Sequence, residues 1–443
     1  MIQQILDLIN SKKLHEARQL LVDYNTVDLA DALESLDHHN LVRVFRMLSK
    51  DAAADVFSYM SRDLQMRMIS AMTDQELRDI MDELFLDDAV DLIEEMPANV
   101  VTRLLRSTDR ETRSLINHFL QYPDASAGSI MTIEFVDLRK DMTVHESFEH
   151  IRQKGVDKET IYTCFVTDAF RHLLGLVSVR TLLLSDPEAH ISEIMDEQFI
   201  SVKTLDDQEE VARLFDHYDL LSLPVVDNEQ RLVGIITIDD VLDVIQEENT
   251  EDFVKMAAVL PSDVSYLETN VLIHARRRMP WLLFLMVSAI FTGAIITTFE
   301  KSLEAMPALI AFIPMLMGTG GNSGAQAATL VIRGMALDEL RPANALRIAW
   351  KELRISLMVG AFLAVINMIR IIMIDQSIMM ALTVSLSLYA TVIMAKMVGS
   401  LLPLAAQKMK LDPAIMASPV ITTLVDAGSL IVFFLIARLI LRI

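Results

Sequence analysis

One cysteine, Cys164, in 443 residues leaves no partner for an intrachain disulfide and no thiolate set for a Cys-rich zinc site. Proline is missing until Pro97, so nothing breaks helices in the opening stretch. The start, MIQQILDLINSKK, lacks the basic opening and apolar run of a secretory signal. Residues 1–270 are therefore expected inside the cell. They are also short of positive charge, with 53 acids against 24 bases, about −29. Residues 271–443 reverse the balance, with 8 acids against 15 bases, about +7. So acidic a half will not bind nucleic acid by phosphate neutralisation, and it suits cations. Neither a nucleophile–base pair nor a metal-hydrolase motif is present, which argues against an enzyme.

What residues 1–125 do have is helical periodicity. Apolar positions recur at helical spacing in short blocks such as VDLADALESL, NLVRVFRML and ELRDIMDEL. Ser, Thr, Asp or Asn stands ready to cap the blocks. Short helices in series predict an all-α superhelical N-domain over 1–125. Asp87, Asp91 and Glu94/Glu95 fall at i, i+4 and i+7/i+8, on one helix face. Like charges at that spacing repel unless a cation bridges them or water solvates them, and the spacing allows both.

Residues 126–245 contain an internal echo. Ile130-Met131 returns as Ile194-Met195, and HLLGLVSVRTLL returns as RLVGIITIDDVL. The second copy reads β–α–β–β–α, with Asp-Asn-Glu at its hairpin turn. Two such α/β copies, 126–190 and 191–245, resemble a tandem pair of CBS modules. The resemblance implies dimerisation and ligand sensing, ATP among the ligands. The nucleotide-contacting S/T-x-x-D pattern is matched by Thr237 and Asp240 in copy two. Copy one has Ser178 but Thr181 at the acid position. The resemblance therefore implies half a nucleotide site or none.

Residues 246–275 continue an acidic helix, with Asp240, Asp243, Glu247, Glu251 and Asp252 on roughly one side. Taken alone it reads as an ordinary linker helix with a wet face rather than as a lever. Beyond it, residues 276–443 hold five apolar stretches, at about 281–299, 308–332, 355–374, 378–404 and 415–436. Arg276, Arg277 and Arg278 precede the first. Loop bases place the N-terminus inside and the C-terminus outside a cytoplasmic membrane.

The fifth stretch carries Asp426. A lone carboxylate at bilayer depth costs about 2.5–3.5 kcal/mol on insertion scales. It must face a pore and its cation, or be hydrogen-bonded by a neighbouring helix. The second stretch, PMLMGTGGNSGAQAATLVIRG, combines Pro314, Gly318, Gly320, Gly321 and Gly324 with Asn322, Ser323, Gln326 and Thr329. These predict a broken helix lining a wet cavity. Gly320 and Gly324 alone also fit a small-residue packing motif.

These runs, with SPVITTLVDAGSL after LDPA, resemble the MgtE family of magnesium channels over nearly the whole chain. The resemblance implies a homodimer with a pore on its two-fold axis, and a connecting helix that acts as a plug over a five-helix transmembrane domain. It implies magnesium as both cargo and regulator. Asp426 and Asn322 would serve the pore, and Asp412 its cytoplasmic mouth. Asp87, Asp91, Asp219, Asp240, Asp243, Glu251 and Asp252 would serve the regulatory sites. The chain departs from the family where Gly428 and Ser429 follow Asp426, since the glycine is expected one residue later. Two other functions fit the residues: an ion-coupled divalent-cation carrier, and a membrane-anchored sensor without transport.

Overall fold

The computed structural model describes residues 2–261, 266, 269–337, 339–374, 377–416 and 418–442. Part of the connecting segment (262–265, 267 and 268) and the side chain of Glu95 lie outside what is described. The chain forms two compact units, Met1–Gln246 and Glu247–Ile443.

The first unit begins with ten short helices among the described residues, from α1 (Ile2–Asn10) to α10 (Arg110–Phe119). Helices two apart in sequence pack on each other through much of the series, which makes a superhelical stack. Caps supply the punctuation. Asn25, Asp37, Ser49 and Asp109 each accept a backbone N–H of the helix they open. Thr73 and Glu76 form a reciprocal capping box at α7 (Asp74–Met81). Each helix is too short to stand alone, so the shared core of Leu33, Leu41, Phe57, Leu64 and Met68 holds them.

Two three-stranded sheets follow, β1 (Asp137–Arg139), β2 (Thr163–Thr167), β3 (Leu173–Ser178) and β4 (Val202–Lys203), β5 (Ser222–Val226), β6 (Leu232–Thr237). In each, the first strand is parallel and the last antiparallel to the middle one. Both break register at the same place, after Val166 and after Val225. Helices α11 (Val144–Lys154), α12 (Val179–Leu184), α13 (Ile191–Ile194), α14 (Gln208–Tyr218) and α15 (Ile238–Met256) complete this part. The Ile-Met echo has a structural cause. Thr132 pairs with Ile235 of β6, and Asp196 pairs with Leu176 of β3. A Cβ on Gly234 would sit 2.9 Å from Met131 Sδ, and one on Gly175 would sit 3.1 Å from Met195 Sδ. Each module lays its entry segment on the other's last strand, and glycine leaves the space.

The second unit contains α16 (Val271–Thr298), α17 (Glu300–Ala305), α18 (Ile313–Ala336), α19 (Ala345–Met373), α20 (Ile378–Lys408) and α21 (Ser418–Leu441). The segments Val271–Thr298, Pro342–Met373, Ile378–Lys408 and Pro413–Leu441 are long and apolar enough to cross a membrane. At 24 residues α18 spans about 36 Å. Its glycines and polar residues lower its hydropathy. It packs between α20 and α21.

Two expectations are corrected here. The second apolar stretch is not a broken helix: α18 runs without interruption, with Pro314 in its first turn, where a missing N–H costs nothing. Gly320, Gly321 and Gly324 serve close packing instead. The first apolar stretch, expected from about 281, belongs to a longer helix, and Pro280 does not open it. That proline lies inside α16, which starts at Val271 and carries the three arginines on its leading turns.

Candidate functional site

Glycines bring α18 against its neighbours. A Cβ on Gly320 would meet Ser429 Oγ at 2.8 Å and Thr391 Cγ2 at 2.8 Å. One on Gly324 would meet Ile421 Cγ2 at 2.8 Å and the Ala395 carbonyl oxygen at 3.2 Å. Ser429 is fully buried and donates its hydroxyl to the Val425 carbonyl at 2.6 Å. The departure after Asp426 thus has a local answer: Gly320 leaves room for Ser429, and Gly428 faces Met394.

Gly321 lies one residue further round α18. A Cβ there would be 3.1 Å from Thr422 Cγ2 and 3.8 Å from Asp426 Oδ1. Asp426 therefore rests over a bare patch of α18 backbone. It is partly exposed, and among the described residues it makes no hydrogen bond and no ion pair. The hydroxyls of Thr422 and Thr423, one turn earlier, both donate to the Pro419 carbonyl at 2.9 Å. Beyond Gly321, α18 presents an open stripe of Gly318, Asn322, Gln326 and Thr329, all exposed. Nothing lies within 4 Å of a Cβ on Gly318. A polar stripe on a membrane helix is costly against lipid, so it faces water or a second protein surface.

Asp412 stands just after α20. One oxygen accepts the Ala414 backbone N–H at 2.8 Å, and the other lies 2.7 Å from Lys255 Nζ. Lys255 also binds Glu251 at 2.8 Å. Two of the acids assigned to magnesium by resemblance thus share a lysine. Asp252, on the same helix, is partly buried.

Carboxylates of the first unit converge. Asp87 at the start of α8 (Leu86–Glu95) is buried, and its Oδ1 accepts the Asp88 backbone N–H at 3.0 Å. Burial, then the charges of Asp240 and Asp88, push its carboxyl well above the usual range. Burial and the charges of Asp239 and Asp55 push Asp88 up to about 6. Asp240 is pushed up to about 6 by burial, although the Thr237 hydroxyl donates to it at 2.6 Å. Glu159 is pushed up to about 8, by burial and by Asp239, Asp240, Asp88 and Glu134. Its Oε2 is buried with no hydrogen-bond partner. This is the electrostatic state that a bound dication relieves. Asp91 and Asp243 are exposed on the two helices involved, and Asp219 ends α14 in a left-handed turn with φ 51°. Among the described residues no group of three or more acids, His or Cys is close enough to ligate one metal ion.

Glu159 and Asp239 are absent from the residues singled out by sequence. The doublets Asp87-Asp88 and Asp239-Asp240 are the local signal available, because adjacent acids spread charge over about 100° of a helix and bring it closer to the packed face. Glu159 carries no local signal. Only the tertiary fold brings it there.

The family described as "MgtE intracellular N domain" matches residues 24–125, "CBS domain" matches 191–247, and "Divalent cation transporter" matches 313–436. "Magnesium transporter MgtE" of Thermus thermophilus is 37% identical over 96% of this chain and 95% of that protein. The protein of the same name from Bacillus subtilis is 32% identical over 99% of this chain and 96% of that protein. A crystal structure of the soluble part of a magnesium transporter covers 56% of this chain and 97% of that one, at 32% identity and TM-score 0.53. The cytosolic domain of the Mg2+ channel MgtE in complex with ATP covers 55% of this chain and 100% of that one, at 36% identity and TM-score 0.52. Superhelical N-domain, paired CBS modules and apolar helical bundle occur here in the same order, and the chain belongs to the MgtE family.

Proposed function

We propose that this protein is a homodimeric channel that admits magnesium across the cytoplasmic membrane, N-terminus inside and C-terminus outside, and that internal magnesium closes it. One observation carries the pore reading. Asp426 is a carboxylate that has no partner among the described residues, inside an apolar helix and beside the open polar stripe of Asn322, Gln326 and Thr329. A two-fold axis along that stripe sets two such carboxylates across a wet path. Magnesium sheds water reluctantly and usually keeps several of its waters, so two carboxylates and a few carbonyls suffice. The names of the relatives support magnesium as the cargo.

Closure is assigned to the acids. Without magnesium, Asp87, Asp88, Asp239, Asp240 and Glu159 repel, which opposes the packed arrangement of the first unit. With magnesium, that repulsion is screened. Asp91, Asp219 and Asp243 belong to the acidic surface of the first unit in this reading, and Glu251 and Asp252 are acids of the second unit. The ion acts as a ligand that prefers one of two states. ATP is a secondary ligand at most. The Thr237 hydroxyl is already spent on Asp240, and the Ser178 and Thr181 hydroxyls are 2.9 Å apart with no acid between them.

The test is magnesium flux into proteoliposomes with internal magnesium varied, wild type beside Asp426→Asn. The expected result is uptake that falls as internal magnesium rises, and that Asp426→Asn abolishes while the protein still elutes as a folded dimer. Undiminished uptake in Asp426→Asn overturns the pore assignment. Strict dependence on a proton or sodium gradient replaces the channel by a coupled carrier.

A further inference from the structure

We propose that Glu352 of α19 and Lys396 of α20 are a charge pair inside the membrane bundle, and that this pair holds α19 on α20. Its consequence for flux rests on the channel reading above, whereas the pair itself does not.

Burial and helix register carry the inference. Glu352 is 8% exposed and Lys396 is 6% exposed. Among the described residues neither makes a hydrogen bond or a direct ion pair, and Glu352 Oε2 is enclosed without a partner. Two contacts fix how the helices run past each other. Asn367 Nδ2 donates to Ser385 Oγ at 3.4 Å, and a Cβ on Gly360 would meet Tyr389 Cδ2 at 3.0 Å. The helices are therefore antiparallel. From the Gly360–Tyr389 contact, Glu352 lies eight residues back along α19, about 12 Å, and Lys396 seven residues on along α20, about 10 Å. The two charges stand at nearly one level. Glu352 belongs to a buried line of α19 with Ile348, Ser356 and Gly360, one at every fourth residue. Seven residues make almost two whole turns, so Lys396 returns to the side of α20 that carries Tyr389. That buried line of α19 has α20 as its main neighbour.

A carboxylate and an ammonium enclosed in an apolar bundle each lose hydration, and each offsets the other's charge across the helix pair. Where the side chains stop short of contact, a water completes the bridge. In lipid no hydrophobic drive holds one helix on the next, so polar bridges matter more to their association. The Asn367–Ser385 bond serves the far half of the helix pair in the same way. The consequence reaches the candidate pore. Ala395, beside Lys396, packs with Ala328 of α18 and with Ile421 and Val425 of α21. Gly399, less than a turn on, lies against the Gly324 backbone. Thus α20 carries α19 on one side and the helices around Asp426 on another.

The experiment compares thermal midpoints of the full chain in detergent for Glu352→Gln, Lys396→Met and the two combined. Removing one member leaves the other charge buried alone, so each single variant should lower the midpoint by about 5 °C. The combined variant has no charge left to strand, and it should return to within about 2 °C of wild type. Where a single variant is not recovered from membranes at all, recovery of the combined variant counts as the same rescue. Unchanged midpoints in both single variants overturn the pair. So does a combined variant that loses the sum of the two single losses, because independent sites add. Magnesium flux is read on the same preparations in proteoliposomes. Each single variant should pass less magnesium than wild type, and the combined variant should regain it. Flux still lost when the midpoint is restored overturns the link to the pore helices. Wild-type protein that moves no magnesium overturns the proposed function, while the midpoints still judge the pair.

Discussion

Gly399 of α20 lies directly on the backbone of Gly324 of α18: a Cβ at position 399 would stand 2.9 Å from the Gly324 carbonyl carbon and closer still to its oxygen. The neighbour is backbone and cannot turn aside. Two helices meeting this closely gain dispersion contact along their length, and that contact is the main attraction available in lipid.

Gly399→Ala should therefore force α18 and α20 apart. Overpacking of this kind costs about 1–3 kcal/mol. The thermal midpoint of the purified protein in detergent should fall, and magnesium flux should drop because α18 carries the polar stripe. An unchanged midpoint with unchanged flux would contradict the close approach.

Asn322 is exposed on α18 and has no role in the packed face. Asn322→Leu should leave the thermal midpoint within about 0.5 kcal/mol of wild type in free-energy terms, the usual range for a surface change. Magnesium flux should nevertheless fall severalfold. Full flux in that variant would place the aqueous path elsewhere.

The acidic junction predicts a pH dependence with a definite sign. The carboxyls of Asp88 and Asp240 are pushed up to about 6, that of Glu159 to about 8, and that of Asp87 well above its ordinary value. Raised carboxyls mean that the packed arrangement holds protons which the separated one releases. The favourable contribution is complete below about pH 4 and is lost as pH rises through 6 and then 8. Without divalent ions, the segment between α10 and β1 should become steadily more open to protease from pH 5.5 to 8. Magnesium at pH 8 should reverse this. Greater cleavage at the acid end, corrected for protease activity, would refute the assignment.

Gly234 and Met131 make the fourth case. A Cβ on Gly234 would lie 2.7 Å from the Thr132 carbonyl oxygen and 2.9 Å from Met131 Sδ. Gly234→Val should detach the Thr132–Ile235 pairing and destabilise the paired modules by more than 1 kcal/mol. Hydrogen exchange of the Thr132 and Ile235 amides should rise together. Loss of protection at only one of them would break the coupling argued here.

The neutralising variant of Asp87, Asp91, Asp243 and Asp252 should keep the channel open at high internal magnesium. Normal closure would show that these acids do not carry the response.

Sequence alone sufficed for whatever is local. Helix periodicity, capping residues and the Ile-Met echo lie within short windows, so the superhelical N-domain, the paired α/β modules and the apolar helices could all be read. Asp426 could be singled out because a charge in an apolar run is anomalous whatever surrounds it. The glycines of α18 were ambiguous, since the same residues break a helix or let two helices touch; the facing surfaces of α20 and α21 settle it. Only the tertiary structure sets Asp87 beside Asp240 and leaves Glu159 Oε2 without a partner. It alone gives Lys255 to Asp412. Such pairings join residues far apart in the chain, and they are selected by complementary packing and charge, which no local pattern encodes.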